Sequence, residues 1–528
     1  IKTGSPDTKL SMASTLGDRV LNNDVKVFVA REAGASLINL MRSNTLPGRE
    51  AALRALNQIS SDDASARILI EAGILPPLVR DLFTVDQRLF PLRLKEVSAT
   101  ILANLVASGD DFDKIPVGVN RQTLVSEEIV HNLLHLINIT GPAIESKLLQ
   151  VLVGLTSSAS LVASVVSAVK SSGATNSLVQ FVDAPQRDLR IAAVRLLKNL
   201  SPHMGSVLAG CLCDTSGQLD ALIGVVTENV GITEEQAAAV EFLADLPETD
   251  TALTRKMLEQ GALGMFIPRI ARIRQGDIKG GRFVTPYLEG LVKVLARVTY
   301  ALSEESSGAR AFCRDHNLAA VFIDLLQATG LDNVQVESAV ALRNLSRDTK
   351  NLTVTPEIPK PGFCGSMFPC WFRTPAAVAG LCQVHDGICS MRETFCLAKG
   401  QAADALVSLL DHNNGRVVEA SLGALCTLLE DGVNVRGGVH VLSEAEGVNP
   451  ILDLLLDERN EGVRNKAVWA VERLLTDARI AHQVTCNPNI GTALIDAYQH
   501  GDYWTRLAAE KALKRIDKIP NFSGAFPN

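Results

Sequence analysis

Six soft metal ligands fall between residues 364 and 396: Cys364, Cys370, Cys382, His385, Cys389 and Cys396. Four thiolate or imidazole donors in a tetrahedron hold zinc, and such sites are usually built on short pairs such as C-x2-C. Here the intervals are C-x5-C, then C-x2-H-x3-C-x6-C, which fit no standard finger. Cys389 and Cys396 also fall where the first helix of a further unit is expected. These cysteines are therefore read as packing residues, since a free Cys behaves as a small hydrophobe. No metal and no cofactor is expected. His131 and His135 in HNLLH stand at a chelating interval, but Asn132 occupies the place where zinc proteases carry Glu. No G-x-S-x-G, P-loop or dinucleotide fingerprint occurs. Acidic pairs such as Glu234–Glu235 and Asp110–Asp111 lie in turns or at helix starts, where the helix dipole favours them. No catalytic residue is assigned.

What remains is hydrogen-bonding chemistry at long, regular intervals. The segments ALRALNQIS (52–60), AVRLLKNLS (193–201), AVALRNLS (339–346) and AVWAVERLL (467–475) are variants of one helix. One column of it holds Gln58, Asn104, Gly154, Asn199, Asp245, Arg297, Asn344, Thr427, Arg473 and Arg515. The spacings are 46, 50, 45, 46, 52, 47, 83, 46 and 42 residues. A helical period in the forties marks an armadillo or HEAT array. The expected fold is an all-α, right-handed superhelical armadillo solenoid of about ten repeats, each packed on its neighbours.

Each unit begins with a Gly-containing lead and an apolar helix, as in EAGASLINLM (32–41) and AKGQAADALVSLL (398–410). A polar turn follows, then the longer helix that carries the column. In EGVRNKAVWAVERLL, residues Val463, Ala467, Val468, Val471, Leu474 and Leu475 recur at helical spacing and predict a buried face. The expected layout is N-terminal capping helices over 1–30, a first block of repeats over 31–348, a Pro/Cys-rich insertion over 349–397, a C-terminal block over 398–520 and a tail over 521–528. The insertion accounts for the 83-residue interval and carries Pro356, Pro359, Pro361, Pro369 and Pro375.

Hydrophobic residues make up 47% of the chain and aromatics 4%, a balance suited to stacked helices rather than a β-sandwich. The net charge of −7, from 51 basic and 58 acidic residues, gives no case for nucleic acid. Ordinary cysteine usage suggests a reducing compartment, cytosol or nucleus. No apolar run approaches the ~18 residues that would span a bilayer. The start at Ile1 suggests a fragment or processed product.

The strings HDGICSMRETFCLAKGQAADALVSLLDH (385–412), VVEASLGALCTLLEDG (417–432), AVWAVERLL (467–475) and AEKALKRIDKIPNFSGAFPN (509–528) carry more than a generic pattern. With MASTLGDRVLNNDVKVFVAREAGASLINLM (12–41), they resemble the senescence-associated type of plant U-box E3 ubiquitin ligase over essentially the whole chain. The resemblance implies a U-box that recruits a ubiquitin-charged E2 and an armadillo array that selects substrates. No U-box is read in this chain, so the E2 would be met only through that absent module. The chain alone is expected not to transfer ubiquitin. Its expected role is recognition of protein substrates or regulators in senescence, stress or immune signalling, in the cytoplasm.

In armadillo proteins that bind extended peptides, Asn in the column hydrogen-bonds the partner backbone, offering donor and acceptor together. Asn104, Asn199 and Asn344 match that position, and Trp469 lies one turn before Arg473, which would favour a carboxylate-bearing ligand. With Arg515, these are the expected groove residues; the competing reading makes them bridges between helices. A regular Asn–Trp ladder is absent, which argues against reading nuclear-import signals. Arg464, Lys466, Arg506, Lys511 and Lys514 form a basic patch on the last helices. That patch motivates the alternative: a membrane-docking or autoinhibitory scaffold, peripheral at the inner face of the plasma membrane.

Overall fold

The computed structural model describes residues 3–43, 45–86, 90–109, 111–118, 121–228, 231–278, 281–302, 308–355, 380–457, 460–485 and 487–517. The fold is an all-α armadillo-repeat solenoid that divides into two compact units, 1–253 and 254–528. Five column helices belong to the first unit: α1 (Leu46–Ser60), α2 (Leu92–Ala107), α3 (Pro142–Thr156), α4 (Arg187–Asp214) and α5 (Glu234–Asp245). Five belong to the second: α6 (Val284–Val298), α7 (Asp332–Leu352), α8 (Gly415–Leu425), α9 (Glu461–Leu474) and α10 (Tyr503–Ile516). Within each unit every column helix packs against the next.

The pattern that predicts α9 is also what buries it. Val463, Ala467, Val468, Val471 and Leu474 are each no more than 1% exposed. Burying a Val or Leu contributes about 1.5–3 kcal/mol, so this face holds the helix in the stack. Its start is fixed by Asn460, whose side chain accepts the Val463 N–H at 3.1 Å. α5 opens instead on a reciprocal capping box between Thr233 and Gln236. α4 bends beyond its column residue, where Pro202 and the non-helical Met204 interrupt the helical backbone.

Two helices, Pro6–Gly17 and Asn23–Met41, pack on α1. The second runs unbroken through residues 30 and 31, so the cap and the first repeat share a helix. At unit entrances the lead glycine takes up left-handed backbone at Gly400, with φ 71°. It is displaced in EAEGVNP, where Gly447 has φ −79° and Glu446 takes the left-handed position with φ 57°.

The five insertion prolines, with Cys364 and Cys370, lie outside the described residues, as does the tail at 521–528. From 380 to 401 the chain is turns rather than the expected helix. It is tied back to the segment just after α7 by an antiparallel bridge between Val354 and Ile388. Among the described residues no helix is long and apolar enough to cross a membrane.

Candidate functional site

The C-terminal turn of a helix leaves carbonyls without intrahelical partners, and the column residues sit beside the equivalent turn of the preceding repeat. Asn104 of α2 donates its amide to Ser60 Oγ at the end of α1, at 3.1 Å. Asn199 of α4 donates to Thr156 Oγ1 at 3.1 Å, to the Val153 carbonyl at 3.3 Å and to Ser157 Oγ at 3.4 Å, all at the end of α3. In the second unit Asn344 of α7 donates to Thr299 Oγ1 just beyond α6, at 3.1 Å. Ser346 and Thr427 meet at 2.6 Å, and Arg515 of α10 binds Glu472 of α9 through both its carbonyl and its carboxylate. At these positions the column bridges one repeat to the next, and all three Asn residues remain part-exposed.

Exposure matters because a groove of about 650 Å³ crosses α2, α3 and α4 and reaches Glu234 at the start of α5. Asn104 lies on its wall, with Gln150, Ser158 and Asp188; Val153, Ile191 and Ala192 supply apolar lining. Gly154 forms part of the floor because α2 approaches closely there: a Cβ would stand 2.5 Å from Val106 Cγ1. Arg195 and Glu234, an ion pair, also line it. In the second unit a smaller pocket of about 260 Å³ is lined by Trp469 with Arg343, Arg347, Lys466 and Glu430. The Arg473 guanidinium lies 5.3 Å from the Trp469 ring centroid and pairs with Asp431 at 2.9 Å and Glu472 at 3.1 Å. Glu472 is 4% exposed and clamped between Arg473 and Arg515, so Arg473 carries its acidic partners already.

The basic residues of the last helices are mostly engaged as well. Arg464 pairs with Asp496, Lys466 with Glu419 and Lys514 with Glu510, while Arg506 donates to the Gly501 carbonyl at 2.5 Å. Lys511 is exposed, on the same side of α10 as Trp504 two turns earlier. Trp504 is 73% exposed and stacks edge-on with Tyr503.

The insertion holds the arrangement that the spacing did not suggest. Cys382, His385, Cys389 and Cys396 bring one ligand atom each to within 4.8 Å of one another. Cys382 Sγ lies 3.7 Å from Cys396 Sγ and 3.5 Å from His385 Nδ1, and Cys396 Sγ lies 3.4 Å from the same nitrogen. Hydrogen bonding from Cys396, then from His385, holds the Cys382 thiol down to about 3, and Cys396, facing that sulfur in a buried setting, is pushed up. His131 and His135 form no such group; His131 Nε2 bonds Ser171 Oγ at 2.9 Å.

Over 99% of its length the chain is 55% identical to U-box domain-containing proteins 44 and 43 of Arabidopsis thaliana. It is 49% identical, again over 99% of its length, to U-box domain-containing protein 24 of Oryza sativa subsp. japonica. Nearly the whole chain is thus similar to plant U-box domain-containing proteins. It spans 64%, 65% and 65% of those relatives' own lengths. No family model matches it. The fold itself is shared with an engineered protein solved by the Northeast Structural Genomics Consortium. That likeness has a TM-score of 0.62 at 18% identity and covers 92% of this chain and 99% of that one.

Within the chain the predicted column residues are not gathered into one site. Asn104 lines the first-unit groove, Trp469 lines the second-unit pocket, and Asn199, Asn344, Arg473 and Arg515 bridge repeats. The sequence missed Gln150, Ser158 and Ile191, which lie one or more turns before or after the column and carry no signature of their own. Only the register of α3 against α4 brings them together.

Proposed function

We propose that this chain is the recognition arm of a plant U-box E3 ubiquitin ligase. It holds a protein substrate or regulator near the E2 carried by a U-box, acts in the cytoplasm in senescence, stress or immune signalling, and transfers no ubiquitin alone. The observation that carries the reading is the groove across α2–α4: an open channel with an apolar lining and polar walls. Such a channel suits an extended peptide, whose backbone needs donors and acceptors while alternate side chains take apolar contact. Asn104 and Gln150 supply the former, Val153 and Ile191 the latter.

The test uses a U-box-bearing form of the protein with E2, ubiquitin and plant extract. Ser158→Arg with Ile191→Glu fills and charges the groove while leaving the Asn bridges intact. Modification of substrates is expected to fall while self-ubiquitination persists. Unchanged substrate modification by a well-folded variant overturns the groove as the recognition site.

The second reading, docking at the inner face of the plasma membrane, draws on exposed Trp504 and Tyr503 beside Lys511. Aromatic and basic side chains together favour an anionic membrane interface. Co-sedimentation with phosphatidylserine vesicles that survives Trp504→Ala with Lys511→Glu would remove it.

A further inference from the structure

We propose that Cys382, His385, Cys389 and Cys396 form a structural zinc site, closed by four protein ligands. Bond lengths of about 2.3 Å to sulfur and about 2.1 Å to nitrogen require tetrahedron edges of about 3.8 Å for S–S and about 3.6 Å for S–N. The measured edges are 3.7 Å between Cys382 and Cys396, and 3.5 and 3.4 Å from His385 Nδ1 to those sulfurs. Cys389 completes the group within 4.8 Å. A disulfide would need about 2.05 Å between sulfurs, and all three cysteines are free.

The surroundings are those of a metal–thiolate loop. The backbone amides of Val384 and His385 lie close enough to Cys382 Sγ to favour its thiolate, and that of Ala398 does the same for Cys396. Thr353 Oγ1 lies 3.2 Å from Cys389 Sγ. Outer-shell donors of this kind orient ligands and balance thiolate charge. Cys382 and Cys396 are 2% and 0% exposed, while His385 and Cys389 are half-buried, so the site is largely withdrawn from solvent.

The local fold also calls for a fastener. Residues 380–401 contain no helix, yet Val384, Phe395 and Leu397 are buried. Their turns include left-handed backbone at Asp386, φ 51°, and Phe395, φ 60°. Such conformations are strained and persist only where surroundings fix them. The loop meets the segment just after α7 through the Val354–Ile388 bridge, and Arg314 donates to the Glu393 carbonyl at 3.0 Å. Zinc here would pin this loop within the second unit. With no open coordination position, the role is structural rather than catalytic.

The full chain is produced in zinc-supplemented medium, purified without a metal-affinity tag and its metal content measured. About one zinc per chain is expected, and a chelator should lower the melting temperature reversibly. Cys396→Ser should weaken zinc binding more than about 100-fold, beyond the loss seen for outer-shell changes. Cys211→Ser, far from the cluster in sequence, should bind as the parent does. If the Cys396→Ser variant fails to fold, cobalt titration of the metal-stripped parent decides. Tetrahedral ligand-field bands with a thiolate charge-transfer band support the site, and an octahedral spectrum overturns it. Substoichiometric zinc in the parent overturns it too. So does alkylation showing Cys382, Cys389 and Cys396 equally reactive with and without chelator.

Discussion

Replacing Asn199 by alanine tests whether the column is a bridge between repeats. The amide nitrogen carries two hydrogens but has three oxygens within reach, Thr156 Oγ1, Ser157 Oγ and the Val153 carbonyl. At most two full bonds are made at once, each worth a net ~0.5–1.5 kcal/mol. Thr156 Oγ1 keeps its own bond to the Leu152 carbonyl at 2.8 Å, so no buried group is orphaned and the cost stays moderate. The expected loss is about 1–2 kcal/mol. Each kcal/mol lowers the melting temperature of a domain of 150–250 residues by about 2–4 °C, and the first unit is 253 residues long. Calorimetry should therefore show the transition of that unit falling by about 2–8 °C. Hydrogen exchange should quicken at the end of α3 before it does in α1. An unchanged transition, with exchange at Val153–Ser157 unaltered, would refute the bridge and return Asn199 to the pool of partner-contacting residues.

Gly154→Ala should destabilise the first unit by about 1–3 kcal/mol through overpacking, since the new methyl meets Val106 Cγ1 at 2.5 Å. Adding Val106→Ala should restore part of that loss in urea titration. Glu446→Gly should stabilise the second unit by about 0.5–1 kcal/mol, because it relieves a left-handed residue; a shifted urea midpoint at constant slope is the readout. Burial lifts the Asp81 carboxyl above its usual range, and Oδ2 lacks a hydrogen-bond partner. The native state then holds that proton more tightly than the unfolded chain, so stability falls as pH rises from the ordinary carboxylate range through the raised value. Asp81→Asn should accordingly be more stable than the parent at neutral pH, with the difference shrinking in acid; equal melting curves at both pH values would contradict this.

The repeat and its core were legible because they follow from periodicity. Val463, Ala467, Val468, Val471 and Leu474 share a face whatever the neighbours are, and the neighbours then bury it. The direction in which a polar column residue points is not periodic information. Asn104, Asn199 and Asn344 turn toward the preceding repeat because hydroxyls and carbonyls wait there: Ser60 Oγ, Thr156 Oγ1 with the Val153 carbonyl, and Thr299 Oγ1. Two of those hydroxyls sit at helix ends and one just beyond, and nothing in the Asn positions themselves reveals them. The partners of Arg473 were hidden for the same reason, since Asp431 precedes it by most of a repeat.

The cysteine cluster shows a different failure, and one with a general cause. The short-pair rule for zinc holds when one tight turn supplies two ligands and a second turn supplies the others. Only Cys382 and His385 come from one turn here, closed by the Cys382 N–H donating to the Gly387 carbonyl at 2.8 Å. Cys396 is brought back by its N–H donating to the Ser390 carbonyl at 3.2 Å, and Ile388 is held against Val354 next to Cys389. Ligands returned by three separate backbone constraints keep no fixed interval, so the interval could not have signalled them. The left-handed residues at Asp386 and Phe395 are where the chain reverses to make this possible. In a sequence of this kind the informative sign is therefore compositional: several soft ligands inside a stretch that interrupts an otherwise regular helical period.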